Sequence, residues 1–123
     1  MLANLAVLGS GIDIIEIPRI KSAVQRWGDH FISRVFCDEE IEYARHHRNP
    51  YPHYAGRFAA KEAVIKALGD QAPLRWTDIK ILNDPQGKPY CVLTGQPPGI
   101  THKIFISISH TRHHAIANAI ITP

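Results

Sequence analysis

A single helix-forming stretch, residues 56–69 with the sequence GRFAAKEAVIKALG, constrains the fold of this chain most. Its apolar side chains recur at helical spacing, which is typical of a helix that packs against a core. We predict that Phe58, Ile65 and Leu68 form the buried face of this helix. Gly69 is a suitable end for it, because glycine readily adopts the backbone conformation that closes many helices.

The same helix carries a carboxylate and an ammonium group, Glu62 and Lys66, which are four residues apart and therefore lie on one stripe. An ordinary ion pair at this spacing contributes only about 0.2–0.5 kcal/mol to helix stability. The other faces of the helix are too apolar for a solvated surface, and a charge at the edge of a buried helix needs a partner, a metal ion or a substrate. Taken alone, the helix leaves the ion pair as the simpler interpretation.

A second segment, residues 9–15 with the sequence GSGIDII, places an acid inside a β-branched run that is typical of a strand. The carboxylate of Asp13 is costly to bury unless its charge is compensated. Exposure through strand twist or a bulge, pairing with a nearby arginine, or a bound cation would each remove that cost. Because Mg²⁺ is usually held by one or two carboxylates, waters and phosphates, Asp13 and Glu62 together form a candidate magnesium site.

The spacing of the glycines excludes two nucleotide-binding motifs. Gly9 and Gly11 match the first two positions of a dinucleotide-binding fingerprint, but Ile14 occupies the third. The sequence also lacks the Gly-x-x-x-x-Gly-Lys-Ser/Thr loop of P-loop nucleoside triphosphatases.

The remaining patterns predict helices early in the chain and strands late, which indicates an α+β fold. A helix from Pro18 to Gly28 is expected to bury Ile20, Val24 and Trp27. A short helix is expected to begin at Asp38 as its cap, and the proline-containing segment 49–52 is expected to break the pattern before the long helix. The predicted strands cover Leu5–Ile15, Asp78–Leu82, Tyr90–Thr94, Ile104–Ser109 and Ala115–Ile121, with turns at Asp84–Gly87 and Pro97–Gly99.

Four segments resemble the small bacterial class of 4′-phosphopantetheinyl transferase, the holo-acyl-carrier-protein synthases. They are Gly-x-Asp ending at Asp13, F-x-x-K-E-A-x-x-K-A over residues 58–67, Gly-Lys-Pro over residues 87–89, and Ser-x-Ser-His over residues 107–110. Each segment is short, but all four occur in the family's order and span the chain from about Gly11 to Ile120.

The resemblance implies a single transferase domain over residues 1–123, with an N-terminal strand and helices and one long central helix packed on a small antiparallel sheet. It implies Mg²⁺-dependent transfer of 4′-phosphopantetheine from coenzyme A to a serine of apo-acyl carrier protein, in fatty acid biosynthesis, with release of adenosine 3′,5′-bisphosphate. Two alternatives are a sister transferase that acts on other carrier domains and a non-catalytic coenzyme A binding module. The family forms trimers with active sites between subunits.

The resemblance also implies roles for particular residues. Asp13 and Glu62 are expected to bind Mg²⁺, and Glu62, with Lys66 as the less favoured choice, is expected to act as general base; Lys66 is also expected to contact a phosphate. The residues expected to bind coenzyme A are Arg57, His110, Arg48, Lys88 and Pro89. Arg19, which matches the family motif, and Arg26 are expected to bind the acidic carrier protein from one side of their helix.

Charge and composition agree with this interpretation. The net charge of +3 admits several anionic partners, but the basic segments lack interleaved aromatic residues and any recognised nucleic-acid-binding module, so we expect no nucleic-acid partner. Cys37 and Cys91 form no zinc or Cys-x-x-Cys spacing and are expected to be free thiols. The short apolar N-terminus lacks the basic region of a signal peptide, and no apolar run is long enough to cross a bilayer. We therefore expect a cytoplasmic protein.

Overall fold

The computed structural model describes residues 6–69, 74–95 and 102–123 of the chain. Its elements, in chain order, are β1 (Gly9–Glu16), α1 (Ile17–Trp27), α2 (Asp29–Val35), α3 (Asp38–Arg45), α4 (Tyr51–Leu68), a 3-10 turn (Trp76–Asp78), β2 (Ile79–Asn83), β3 (Pro89–Leu93), β4 (Lys103–His110) and β5 (His114–Thr122). The predicted α+β fold is confirmed. The predicted start of the first strand at Leu5 and the predicted turn at Pro97–Gly99 lie outside the described residues.

The strands form two antiparallel sheets. In the larger sheet β5 lies between β1 and β4, so Asp13 pairs with Ala117, which in turn pairs with Ile108. The smaller sheet is the hairpin of β2 and β3. The long helix α4 packs against one face of the larger sheet and contacts all three of its strands.

Main-chain contact between β1 and α4 depends on two glycines. A Cβ atom at Gly9 would lie 2.1 Å from the carbonyl oxygen of Ala67, and one at Gly11 would lie 2.0 Å from that of Ala63. Either distance is far below any normal contact, so only glycine fits at these positions. The strand therefore crosses α4 at close range and brings Asp13 beside the middle of the helix.

The buried face of α4 differs from the predicted one. Phe58, Ile65 and Leu68 are only half-buried, whereas the positions without accessible surface are mostly small residues: Ala55, Ala59, Ala60, Ala63 and Val64. Small side chains occupy the closest approach because α4 packs tightly on the sheet, and the larger residues fill the edges of that contact. Phe58, for example, stacks on Trp76 with 4.9 Å between ring centroids.

The first helix also ends differently from the prediction. Ile20 is buried as expected, but Trp27 is 56 % exposed. The chain reverses at Gly28, which has a φ of +57°, and directly begins α2, a helix that the sequence did not reveal. Because α2 supplies the buried side chains Ile32 and Val35 to the core, Trp27 is left at the surface.

Two helix starts also need correction. Asp38 does not cap α3: Cys37 is the residue before the helix, and its backbone N–H donates to Oε1 of Glu40 at 2.8 Å. The predicted break at residues 49–52 is partly wrong, because α4 begins at Tyr51 and accommodates Pro52 in its first turn. Proline is tolerated there, since the first N–H groups of a helix have no partner within it.

A fully buried ion pair joins α3, α4 and β2. Lys61 Nζ lies 2.7 Å from Glu40 Oε1 and also donates to the carbonyl oxygens of Trp76 and Ile79, so all three of its N–H bonds have an acceptor. Glu40 Oε2 accepts the backbone N–H of Ile81. This network is therefore satisfied, and it fixes α4 against the hairpin.

The outer face of the larger sheet exposes several large apolar side chains among polar ones. Ile12 and Ile14 on β1, Phe105 on β4 and Ile116 on β5 are between 37 % and 62 % exposed. Among the described helices, none has both the length and the apolar character needed to cross a membrane.

Candidate active site

Asp13, Glu62 and Lys66 meet where β1 crosses α4. Lys66 Nζ lies 3.2 Å from Asp13 Oδ1 and donates to the carbonyl oxygen of Ile12 at 2.9 Å. The simple ion pair between Glu62 and Lys66 does not form among residues 6–69, since Lys66 pairs across to the strand instead. The two acids are far apart in sequence, but the fold brings both of them close to Lys66.

Glu62 is in an unfavourable environment for a negative charge. Burial raises its pKa, the nearby charge of Asp13 raises it further, and Lys66 partly offsets both. In the part of the chain that the structure describes, the Glu62 carboxylate accepts no hydrogen bond. Two neighbouring carboxylates with one ammonium group leave net negative charge, which a cation would compensate.

The donor set fits Mg²⁺. Both available side-chain ligands are hard carboxylate oxygens, and within residues 6–69, 74–95 and 102–123 no cluster of three or more His, Cys, Asp or Glu side chains forms a metal site. Mg²⁺ commonly takes one or two carboxylates and completes its octahedron with waters and substrate phosphates. A two-carboxylate site is therefore sufficient for this ion and too sparse for a typical zinc site.

Arg57 lies beneath a layer of rings, one turn and a half before Glu62 on α4. Only 4 % of its surface is exposed, and its guanidinium lies 4.0 Å from the ring centroid of Tyr43 and donates to Asn83 Oδ1. Its Nε atom is buried and has no hydrogen-bond partner. The structure thus provides a fixed cation with one unused donor.

A group of three histidines lies beside Arg57, which interacts with one of them, His53. The rings of His47 and His53 stack with 3.6 Å between centroids, and His110, at the end of β4, lies 6.3 Å from His53. His110 was predicted from its motif, but neither His47 nor His53 belongs to a motif. The juxtaposition depends on the packing of α3, α4 and β4, which no local pattern shows.

The other predicted coenzyme A residues lie in two further places. Lys88 and Pro89 line a groove of about 480 Å³ between the β2–β3 turn and β4, together with Tyr90 and Phe105. Arg48 is exposed in the turn between α3 and α4, next to His47.

The predicted carrier-binding arginines are on the open side of α1. Arg19 and Arg26 are both exposed. The guanidinium of Arg26 lies 5.1 Å from the ring centroid of Trp27, so the exposed tryptophan adds an apolar surface to this basic face.

Comparisons with known proteins show the family of this chain and support its α+β fold. A family profile described as the 4′-phosphopantetheinyl transferase superfamily matches residues 9–119. A holo-[acyl-carrier-protein] synthase of Thermodesulfovibrio yellowstonii is 45 % identical, over 93 % of this chain and 97 % of that protein. One from Protochlamydia amoebophila is 46 % identical, over 92 % and 96 %.

Solved structures agree as well. A holo-(acyl-carrier-protein) synthase from Bacillus anthracis in complex with CoA (3′,5′-ADP) superposes with a TM-score of 0.81 at 32 % identity, covering 94 % of this chain and 96 % of the other. The Helicobacter pylori enzyme in complex with coenzyme A gives a TM-score of 0.78 at 32 % identity, covering 91 % and 98 %. The chain belongs to the 4′-phosphopantetheinyl transferase superfamily, which confirms the resemblance seen in the four sequence segments.

Proposed function

We propose that this chain transfers 4′-phosphopantetheine from coenzyme A to a serine of apo-acyl carrier protein and releases adenosine 3′,5′-bisphosphate. The observation that carries the proposal is the meeting of Asp13, Glu62 and Lys66 where β1 crosses α4, in a chain of this family. The similarity to holo-[acyl-carrier-protein] synthases supports the same reaction. We place the protein in the cytoplasm and in fatty acid biosynthesis, with residues 1–123 acting as one transferase domain.

The chemistry is an attack of a serine hydroxyl on a pyrophosphate, and such phosphoryl transfer depends mainly on positioning and charge stabilisation. Asp13 and Glu62 would hold Mg²⁺, which, when bound, neutralises phosphate charge. Glu62 accepts the serine proton as general base, directly or through a water. Lys66, whose side chain is about half exposed, is free to turn from Asp13 towards a phosphate oxygen.

Coenzyme A carries a 3′-phosphate that requires cationic donors. Arg57 supplies a fixed positive charge beneath this region, and His110 and Arg48 are exposed on its more open side. Lys88 and Pro89 contribute to a groove large enough for the adenine. A dephospho-coenzyme A substrate should therefore raise KM rather than lower kcat, because the lost contacts are remote from the reacting bond.

The exposed basic face of α1 suits an acidic carrier protein. Replacing Arg19 by Glu should raise KM for the carrier far more than KM for coenzyme A, and added salt should reduce the difference between wild type and variant. Arg34→Glu, a change of an exposed arginine on α2, serves as the charge-matched control. Equal losses for both substrates would remove the docking role from Arg19.

The exposed apolar side chains on the outer face of the larger sheet support assembly into a homotrimer with active sites between subunits. Ile14→Lys places a charge in that face without touching α4, so we expect it to shift the protein from trimer to monomer in light scattering and to lower activity. A wild type that is monomeric at all working concentrations would contradict the assembly.

Intact-mass spectrometry tests the reaction itself. Apo-carrier protein incubated with this protein, coenzyme A and Mg²⁺ should gain the mass of one phosphopantetheine arm, and a chelator should abolish the gain. Asp13→Asn should also abolish it, whereas Asp29→Asn, at an exposed acid on α2, should not. Coenzyme A binding without any mass gain would instead identify a non-catalytic binding module.

A further inference from the structure

The histidine cluster beside Arg57 contains a residue that the reaction described above does not use. His53 is half-buried on α4, and its ring faces four groups: Tyr43 and His47 from α3 and the turn after it, Arg57 from its own helix, and His110 from β4. In the described part of the chain, neither ring nitrogen of His53 makes a hydrogen bond, whereas His47 Nδ1 is engaged with the carbonyl oxygen of Tyr43 at 2.9 Å.

The charges around His53 are all positive. Burial, together with the smaller effects of His47, Arg57 and His110, lowers the pKa of His53 to about 4. No carboxylate is among the groups that shift the pKa of His53, although Glu40 acts on the neighbouring Arg57. Arg57 adds a buried Nε without a partner to the same region. A bound anion would be favoured next to these groups.

We propose that His53 is a further residue of the phosphate subsite, and that it takes up a proton when the 3′-phosphate dianion of coenzyme A enters the cluster. The inference rests on the coenzyme A binding proposed above. The proton comes from solvent to a free ring nitrogen of His53, and the charged imidazolium then donates to a phosphate oxygen, which is a strong, charge-assisted hydrogen bond.

The physical reason is linkage. A phosphate brought next to the ring favours the charged form, so binding raises the proton affinity of His53, and by the same coupling a bound proton raises the affinity for phosphate. Affinity for coenzyme A should therefore fall as pH rises through neutrality, and affinity for dephospho-coenzyme A should not. The stacking with His47 keeps the ring in place in both protonation states.

Calorimetry of the full chain tests this directly. Binding heats for coenzyme A and for dephospho-coenzyme A are measured at pH 7 in buffers of different ionisation enthalpy, and the slope gives the protons taken up. We expect coenzyme A to take up about half to one proton more than dephospho-coenzyme A. His53→Gln should remove that difference and weaken coenzyme A binding severalfold, with no effect on dephospho-coenzyme A.

Two controls keep the result interpretable. His30→Gln, at an exposed histidine on α2, should leave the extra proton uptake unchanged. His53→Phe preserves a ring that can stack, so it should lose the proton uptake even if His53→Gln folds poorly. An extra uptake that persists in both His53 variants, or that is absent from wild type, overturns the inference. If coenzyme A does not bind at all, the proposed function fails instead; if it binds and is used without extra uptake, only the role of His53 fails.

Discussion

Two lysines on α4, five residues apart, form ion pairs of opposite character. Lys61 and Glu40 are inaccessible to solvent and every polar atom of the pair that needs a partner has one. Lys66 pairs with Asp13 at the surface, at a longer distance, and its side chain is 53 % exposed. The first pair is closed to any ligand, whereas the second leaves Glu62 beside it without a hydrogen bond.

The difference in exposure between the two ion pairs indicates that the Lys61 pair stabilises the fold and that the Lys66 pair is available to a ligand. A buried, saturated pair cannot exchange its partners without a large cost, because each charge would be left in an apolar environment. An exposed pair exchanges partners at little cost, because water screens both states. Of the Lys-Glu dipeptide at positions 61 and 62, the lysine therefore belongs to the core and the glutamate to the site.

Breaking the buried pair should have the largest effect. Lys61→Met leaves the Glu40 charge buried and unpaired, which should lower the free energy of unfolding by about 3–5 kcal/mol in urea at a fixed protein concentration. The double variant Glu40→Gln/Lys61→Met should recover part of that loss, because the amide carries no charge and its oxygen can still accept a backbone N–H. Lys80→Met, in the exposed pair with Glu39, should cost at most about 1 kcal/mol. A loss of stability from Lys61→Met as small as that from Lys80→Met would contradict a structural role for the buried pair.

Glu62→Gln should separate activity from stability. Loss of a base and metal ligand should lower kcat/KM by about 10²–10⁴-fold, while stability should be unchanged or slightly higher, because the side chain carries an unfavourable charge. Glu42→Gln, at an exposed acid on α3, is the control. A variant with full turnover and unchanged metal affinity would exclude the base role of Glu62.

Lys66→Met should affect turnover more than stability, whereas Lys61→Met should mainly reduce stability. The Lys66 side chain is 53 % exposed, although that of Asp13 is only 18 % exposed, so stability should fall by about 1 kcal/mol, well below the loss for Lys61→Met. Turnover should fall by about 10²-fold if the ammonium group stabilises charge in the transition state. Steady-state kinetics and urea unfolding of the same preparation measure both; a loss of stability as large as that of Lys61→Met would make the two lysines equivalent.

The smallest effect concerns pH. The folded protein holds the Glu62 proton more tightly than the unfolded chain does, so this residue stabilises the fold at low pH, and that contribution is lost as pH rises through its raised pKa. The difference in unfolding free energy between wild type and Glu62→Gln should therefore decline as pH rises from about 4, the ordinary glutamate range. Addition of Mg²⁺ should reverse the decline by binding the ionised form. A difference in unfolding free energy that does not change with pH would mean that the fold does not raise the pKa of Glu62.

The sequence was sufficient where the signal is local. Asp13 within a β-branched run and Glu62 within a helical repeat were predicted as a pair, and the order of helices and strands was predicted almost completely, because periodicity and turn residues are short-range features. The structure brings Asp13 and Glu62 together as expected, while their role in binding metal stays a prediction.

The missing parts all depend on contacts between distant segments. The partner of Lys61 is Glu40, 21 positions earlier, and no spacing rule connects them. The helix α2 was missed because it has only seven residues, and its two buried side chains, Ile32 and Val35, are too few to show a clear repeat. His53 was missed for the same reason, since only packing brings α3, α4 and β4 around it.

The glycines of β1 have one further consequence. Since Gly9 and Gly11 touch α4 through main-chain atoms, the separation of the two acids is not adjustable by exchanging one core residue for a larger or smaller one. Substitutions elsewhere in the core should therefore leave the distance between Asp13 and Glu62 unchanged. An engineer who wishes to accept a bulkier donor molecule should therefore vary the groove at Lys88 and Pro89 and leave this crossing intact.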